Sequence, residues 1–284
     1  MRELPPDLAD ALRPVLPDLA EEIIVAIGNE VPDYARPMEG DFGRVVRVAI
    51  EQALSRFVDT IADPGIRPET RRSMYAGLGR GELRAGRSLG ALLSAYRIGA
   101  RLSWERFSGA ADAAGHDPRD IYALGSAIFN YIDAISAESV DGYADEQSRA
   151  AGERERRRRA LVRLLARDDV APEEVADLAA VAGWPLPATV AAIVADPEAE
   201  RPLARLGADA LVHTDDEATI VFLADPDAPG RRAQLEQALR TRRGALGPTV
   251  VPAVAAHSLA RARAAYRLEV GDGGLVVAED HLLE

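Results

Sequence analysis

The sequence predicts an α+β protein of two domains: an N-terminal all-α helical bundle, a long connecting helix and a C-terminal α+β sandwich. Three observations carry this. Apolar residues recur at helical spacing through the first half, and strand-like runs replace that period after residue 188. Between Pro118 and Arg167 no further proline interrupts the chain, which allows one very long helix. Charge marks a joint in the same place: net −8 over residues 1–147, +6 over 148–167 and −10 over 168–284. The expected division is an all-α domain over 1–148, a basic connecting helix over 149–170 and an α+β domain over 171–284.

Taken in order, residues 17–30 set Leu19, Ile23, Ile24 and Ile27 on one helical face. Residues 39–62 carry the clearest stripe, from Phe42, Val45 and Val46 through Ala49, Ile50, Ala53 and Leu54 to Phe57, Val58 and Ile61, and Asp63-Pro64-Gly65 stops it. A short helix is expected over 68–79, then a Gly- and Arg-rich stretch to Ser88. Ser88 caps a helix over 89–110, whose inner face carries Leu89, Leu92, Leu93, Tyr96, Ala100 and Phe107. Asp117 and Pro118 read as a cap and first turn. The helix that follows would reach roughly 75 Å if unbroken, so a break is expected near Gly142 or Gly152. Beyond a helix at 172–182, strands are expected at 188–195, 211–214, 218–224, 249–256 and 274–278, with helices at 230–243 and 258–269. The pair 211–214 and 218–224 forms a hairpin across Asp215-Asp216-Glu217.

Composition excludes several kinds of chemistry. The 284 residues include no Cys, which removes disulfides, thiolate metal sites and a thiol nucleophile. All 34 basic residues are Arg, which removes a P-loop or Schiff-base Lys. Net charge is −12, unsuited to clinging to nucleic acid or an anionic membrane. No apolar run approaches the ~18 residues of a spanning helix and no signal peptide is present, so a cytoplasmic protein is expected. The four His are scattered, no GxSxG elbow occurs, and no metal, cofactor or catalytic residue is assigned.

Three constellations remain. Arg80, Arg84 and Arg87 precede the 89–110 helix, and Arg97, Arg101 and Trp104 follow along one of its flanks. Convergent guanidiniums beside an indole suit a carboxylate or phosphate ligand; the alternative is pairing with the many local acids. The run Arg154–Arg159 reads as a solvated helix face rather than a nucleic-acid arm, and Leu161, Leu164 and Leu165 after it suit a parallel helix pair in a homodimer. Asp215, Asp216 and Glu217 place three acids on one turn, able to hold Mg²⁺ and a phosphate but expected to be an ordinary solvated turn.

Within this pattern, Leu78–Phe107 (LGRGELRAGRSLGALLSAYRIGARLSWERF) and Ile132–Gln147 (IDAISAESVDGYADEQ) resemble an RsbRD-type N-terminal sensor domain. Gly152–Ala166 (GERERRRRALVRLLA) is similar to the connector that follows such domains. Ala182-Gly183-Trp184-Pro185-Leu186-Pro187, leading into a strand, resembles the GGDEF-like domain of PucR/CdaR-type transcriptional regulators. Leu275–Glu284 is similar to the end of that domain. The resemblance implies the sensor and dimerisation region of a regulator, with a small-molecule effector and no enzyme activity. It would reach DNA only through a C-terminal helix-turn-helix absent from this chain. Diguanylate cyclases carry Gly-Gly-Asp/Glu-Glu-Phe on the central hairpin; here the turn reads Thr214-Asp215-Asp216-Glu217-Ala218, so the second domain is expected to be a degenerate GGDEF domain. Two rivals stand beside this reading: a nucleotide-binding or cyclase-like enzyme centred on Asp215, Asp216 and Glu217, and a pure protein–protein module of stress signalling.

Overall fold

The computed structural model describes residues 4–35, 40–63, 65, 69–268 and 273–281. It divides into two compact units, Met1–Arg149 and Ala150–Glu284.

The first unit is helical. In chain order it holds α1 (Leu8–Leu12), α2 (Leu16–Glu30), α3 (Gly40–Ala62), α4 (Glu69–Arg84), α5 (Leu89–Ala113) and the start of α6 (Pro118–Leu165). The α2 stripe is buried as its spacing requires, with Leu19, Ile23, Ile24 and Ile27 all shielded from solvent. Phe57 of α3 stacks on Phe107 of α5 with ring centroids 5.9 Å apart, and Tyr131 of α6 meets Phe57 edge-on at 5.3 Å. Ser88 caps α5 by accepting from the Ala91 N–H at 3.2 Å. The side chain of Phe42, residues 66–68 and Pro64 of the expected stop signal lie outside the described residues.

Two helix expectations are corrected. The glycines at 77, 79 and 81 do not end a helix at 79; α4 continues to Arg84. Nor does α6 break near Gly142 or Gly152: it runs from Pro118 to Leu165 without interruption. Packing explains both. A Cβ on Gly79 would lie 2.0 Å from the Ser139 carbonyl oxygen, and one on Gly142 would lie 2.1 Å from that of Ala76. These glycines are where α4 and α6 touch backbone to backbone, so they secure the helices instead of interrupting them.

The second unit is a five-stranded sheet in the order β2-β3-β1-β4-β5. Its strands are β1 (Val190–Ala195), β2 (Ala210–Thr214), β3 (Thr219–Ala224), β4 (Arg243–Leu246) and β5 (Gly274–Val277). All pairings are antiparallel except β4 with β5. The hairpin pairs Thr214 with Thr219 across the three-acid turn, as expected. Every residue of β1 is buried, because both faces of the sheet are covered. Val190, Ala192 and Val194 face a core shared with Trp184, Leu259 of α10 (Ala255–Leu268) and the end of α6. Ala191, Ile193 and Ala195 face Leu203 of α8 (Glu200–Ala204) and Leu235 of α9 (Arg231–Ala238). Period-2 alternation thus divides one strand between two cores.

The fourth strand was expected at 249–256 and lies instead at 243–246. Pro252 has no N–H for a ladder, and the expected run supplies only the bridge between Val190 and Val250 before α10 begins at Ala255. The true strand, Arg-Gly-Ala-Leu, has almost no β-propensity; a Cβ on Gly244 would press on Leu239 at 2.6 Å. Because β4 begins pairing β1 only at Ile193, the Ala192 N–H turns to Ser258 Oγ of α10 at 2.9 Å. The α7 helix (Pro172–Ala182) ends on Gly183 at φ +62°, and the Trp184 N–H returns to the Ala179 carbonyl at 2.9 Å. Its indole N–H reaches the Asp209 carbonyl at 3.1 Å. Leu161, Leu164 and Leu165 are buried in this unit's own core, which corrects their assignment to a helix pair between copies.

Candidate functional site

The first unit contains a cavity of about 520 Å³ bounded by α2 to α6. Its origin is visible residue by residue. At one end the Phe57–Phe107 stack sets the spacing of α3 and α5. Elsewhere the facing residues are Ala49 and Ala53 on α3 and Ala95, Gly99 and Ala100 on α5, too short to span that spacing. The α3 stripe records the same fact. Leu54, Phe57, Val58 and Ile61 are buried, whereas Val46, Ala49, Ile50 and Ala53 face the void and remain partly accessible. Val45 lines the cavity and is 61% exposed, which marks an opening to solvent among the described residues.

One wall is polar. Gly86, at φ +71°, turns the chain after α4 so that the Arg87 N–H meets the Glu82 carbonyl at 2.9 Å. The same turn returns the guanidinium to the Glu82 carboxylate: Nε donates to Oε2 at 2.7 Å and Nη2 to Oε1 at 2.9 Å. Tyr34 donates its hydroxyl to Glu82 Oε2 at 2.9 Å, and the guanidinium lies 5.5 Å from the Tyr34 ring centroid. Burial, then the Glu82 charge, pushes the Tyr34 phenol far above its ordinary range, so it stays protonated and donating. The Arg87 pKa is raised, chiefly by the guanidinium's own hydrogen bonding to Glu82. Opposite, Tyr75 and Tyr131 share a 2.6 Å hydroxyl contact, and Tyr131 donates to the Ala53 carbonyl at 3.0 Å. Tyr96 lies 2.9 Å from Ser139 Oγ, and burial pushes that phenol up as well.

The Arg-and-Trp set read from the sequence is not convergent. Arg84 forms a fork with Glu146 of α6, at 2.7 and 3.1 Å. Arg97 donates to Ser94, and Arg101 pairs with Glu30 of α2 at 3.0 Å. Trp104 packs its ring where Gly125 of α6 leaves room. Arg80 lies near Glu146, whose pKa is lowered chiefly by its hydrogen bond from Arg84. Arg84, Arg87 and Arg101 each take a carboxylate and Arg97 a serine hydroxyl, so pairing with local groups, the alternative to a ligand, accounts for these four. Arg87 alone among the six reaches the cavity. Sequence reasoning missed Tyr34, Glu82, Tyr75 and Tyr131. The available signal was an alanine- and glycine-rich inner face on two facing helices, combined with tyrosines at buried positions.

In the second unit, Asp215 Oδ1 accepts the N–H groups of Glu217 and Ala218, both at 2.9 Å, and those bonds lower its pKa. The carboxylate builds the turn, while Asp216 and Glu217 face solvent. Asp196 is likewise engaged, by the Arg243 N–H and the Tyr266 hydroxyl, both at 2.8 Å. Among the described residues no group of three or more acids or histidines is placed to hold a metal ion.

A helical unit around an apolar cavity, a 48-residue helix and a mixed sheet with a glycine-less hairpin now stand together. The PucR-like N-terminal domain model matches residues 1–166, more than half of the sequence. The chain belongs to the PucR-like family. The GGDEF-like domain model matches residues 166–268. Neither a curated protein nor a solved structure matches the chain. In this PucR-like chain the family boundary falls at the end of α6, whereas the packing boundary falls inside it, because Leu161–Leu165 belong to the second core. Among the described residues no helix is long and apolar enough to cross a membrane.

Proposed function

We propose that this chain is the signal-receiving region of a PucR-family transcriptional regulator, with the cavity of the helical unit as its effector site. The cavity carries the proposal. A void of about 520 Å³ at the centre of a packed bundle leaves much apolar surface without partner atoms, and a bound molecule would supply them. The matched families support the regulatory setting. In this reading a ligand shifts the packing of α4 and α5 against α6, through Tyr96–Ser139 and the glycine contacts at 79 and 142. The shift is passed on through α6 and the GGDEF-like unit in a homodimer to a DNA-binding domain. The GGDEF-like unit serves as scaffold and not as a cyclase: Asp215 and Asp196 are both spent on the protein's own N–H and O–H groups.

A thermal-shift screen of the chain against neutral and charged small molecules tests this, with GTP and Mg²⁺ included. A ligand at a hundred times its Kd should add about 2.7 kcal/mol to the stability of the folded state. The shift should vanish in Ala100→Phe, which fills the cavity. A shift produced by GTP and Mg²⁺ and untouched by Ala100→Phe would overturn the assignment in favour of a nucleotide site in the second unit.

A further inference from the structure

We infer that the cavity of the helical unit takes an uncharged, hydrocarbon-rich molecule and rejects organic anions. This rests on the reading of that cavity as the effector site and goes beyond it by naming the ligand's chemistry.

Charge balance at the wall is the first argument. Among the described residues lining the cavity, Glu82 and Arg87 are the charged ones. They neutralise each other through two hydrogen bonds of 2.7 and 2.9 Å, with Glu82 only 7% exposed. An incoming carboxylate or phosphate would have to shed its water and then compete with an intramolecular carboxylate already seated in the guanidinium fork. An incoming cation faces the same obstacle on the Glu82 side. A buried ion without a counter-ion is strongly disfavoured.

The hydroxyl groups give a second, independent argument. A phenol has one proton to donate. Tyr131 donates to the Ala53 carbonyl, so in its contact with Tyr75 it must be the acceptor, and the Tyr75 proton is spent there. Ser139 Oγ lies 2.8 Å from the Ile135 carbonyl and 3.1 Å from that of Tyr75, so its proton is spent on the backbone and the Tyr96 proton goes to Ser139. The Tyr34 proton goes to Glu82. All four phenol protons are committed inside the protein, and an anion would find none of them to accept. The rest of the described wall is aliphatic side chains, alanine, glycine and phenylalanine, apart from the Ser103 hydroxyl.

The test uses two fluorescent probes that share a hydrocarbon frame and differ in charge: neutral phenyl-naphthylamine and its sulfonate, anilinonaphthalene sulfonate. Each is titrated into the full chain, into Ala100→Phe and Ala95→Leu, and into Glu82→Gln, with calorimetry confirming cooperative unfolding of every variant. The neutral probe should bind saturably, one per chain and at least about tenfold more tightly than the sulfonate, in line with the cost of burying an unpaired ion. Either cavity-filling substitution should remove that binding. Glu82→Gln, which removes the carboxylate charge seated in the Arg87 fork, should strengthen sulfonate binding. Equal or tighter binding of the sulfonate to the unaltered chain, still blocked by cavity filling, would overturn the charge assignment and leave the cavity as a binding site. Absence of saturable binding by either probe, or binding that both filling variants retain, would overturn the cavity reading itself. Preference for the neutral probe with no gain in Glu82→Gln would overturn the role given to the Glu82–Arg87 pair.

Discussion

Replacing Gly142 by alanine sets two effects of opposite sign against each other. Alanine in a helix interior is favoured over glycine by about 0.8–1 kcal/mol. At Gly142 the new methyl would lie 2.1 Å from the Ala76 carbonyl oxygen and 2.6 Å from its Cα and carbonyl carbon. Ordinary contact begins at 3.4 Å, so the shortfall exceeds 1 Å. The obstructing atoms are the backbone of α4, which cannot swing aside as a side chain would. Separating α4 from α6 would loosen the neighbouring bonds of Ser139, to the Tyr75 carbonyl at 3.1 Å and to Tyr96 at 2.9 Å. Overpacking of this kind costs about 1–3 kcal/mol and each weakened hydrogen bond about 1 kcal/mol. The steric effect wins, with a net loss of about 2–4 kcal/mol. For a unit of this size that corresponds to a fall of about 4–16 °C in its melting transition. Differential scanning calorimetry reads it, with Gly109→Ala as the matched control. Gly109 lies in α5 with nothing within 4 Å of its added Cβ, so its substitution should raise the same transition. An unchanged or raised transition in Gly142→Ala would refute the backbone contact between α4 and α6.

Four further outcomes are expected. Ser258→Ala strands the Ala192 N–H inside the sheet and should cost the second unit about 1–3 kcal/mol in urea unfolding. Arg158, which donates to the Ala210 carbonyl at 2.6 Å and whose pKa is lowered by burial, should destabilise that unit when changed to Gln. Arg157→Gln, which removes only an exposed pair with Glu153 one turn away, should stay within about 0.5 kcal/mol. The Asp215 pKa lies below its ordinary value, so its stabilisation is complete above the aspartate range and is lost as pH falls through the folded value. Unfolding at pH values on either side of about 4 should show a loss of less than about 1 kcal/mol for this exposed group. Asp215→Asn, which keeps an accepting oxygen, should not show it.

The sequence alone determined what depends on periodicity and local chemistry. The α2 stripe, the Ser88 cap, the Gly183 turn before Trp184 and the hairpin about Asp215 are set by spacings and side-chain types within a few residues. They could be read without neighbours. The regulator family was legible too, from segments along the chain. What the sequence could not supply is which element lies beside which. Gly142 reads as a breaker until α4 is placed against it, and Arg-Gly-Ala-Leu reads as the last residue of a helix and the loop after it until β1 and β5 flank it. The arginines of 80–101 looked convergent because sequence proximity hides the acids on other helices, Glu146 and Glu30, that take them. The cavity is the extreme case. It is made of what alanines and glycines on facing helices leave unfilled, and a void between elements has no sequence of its own.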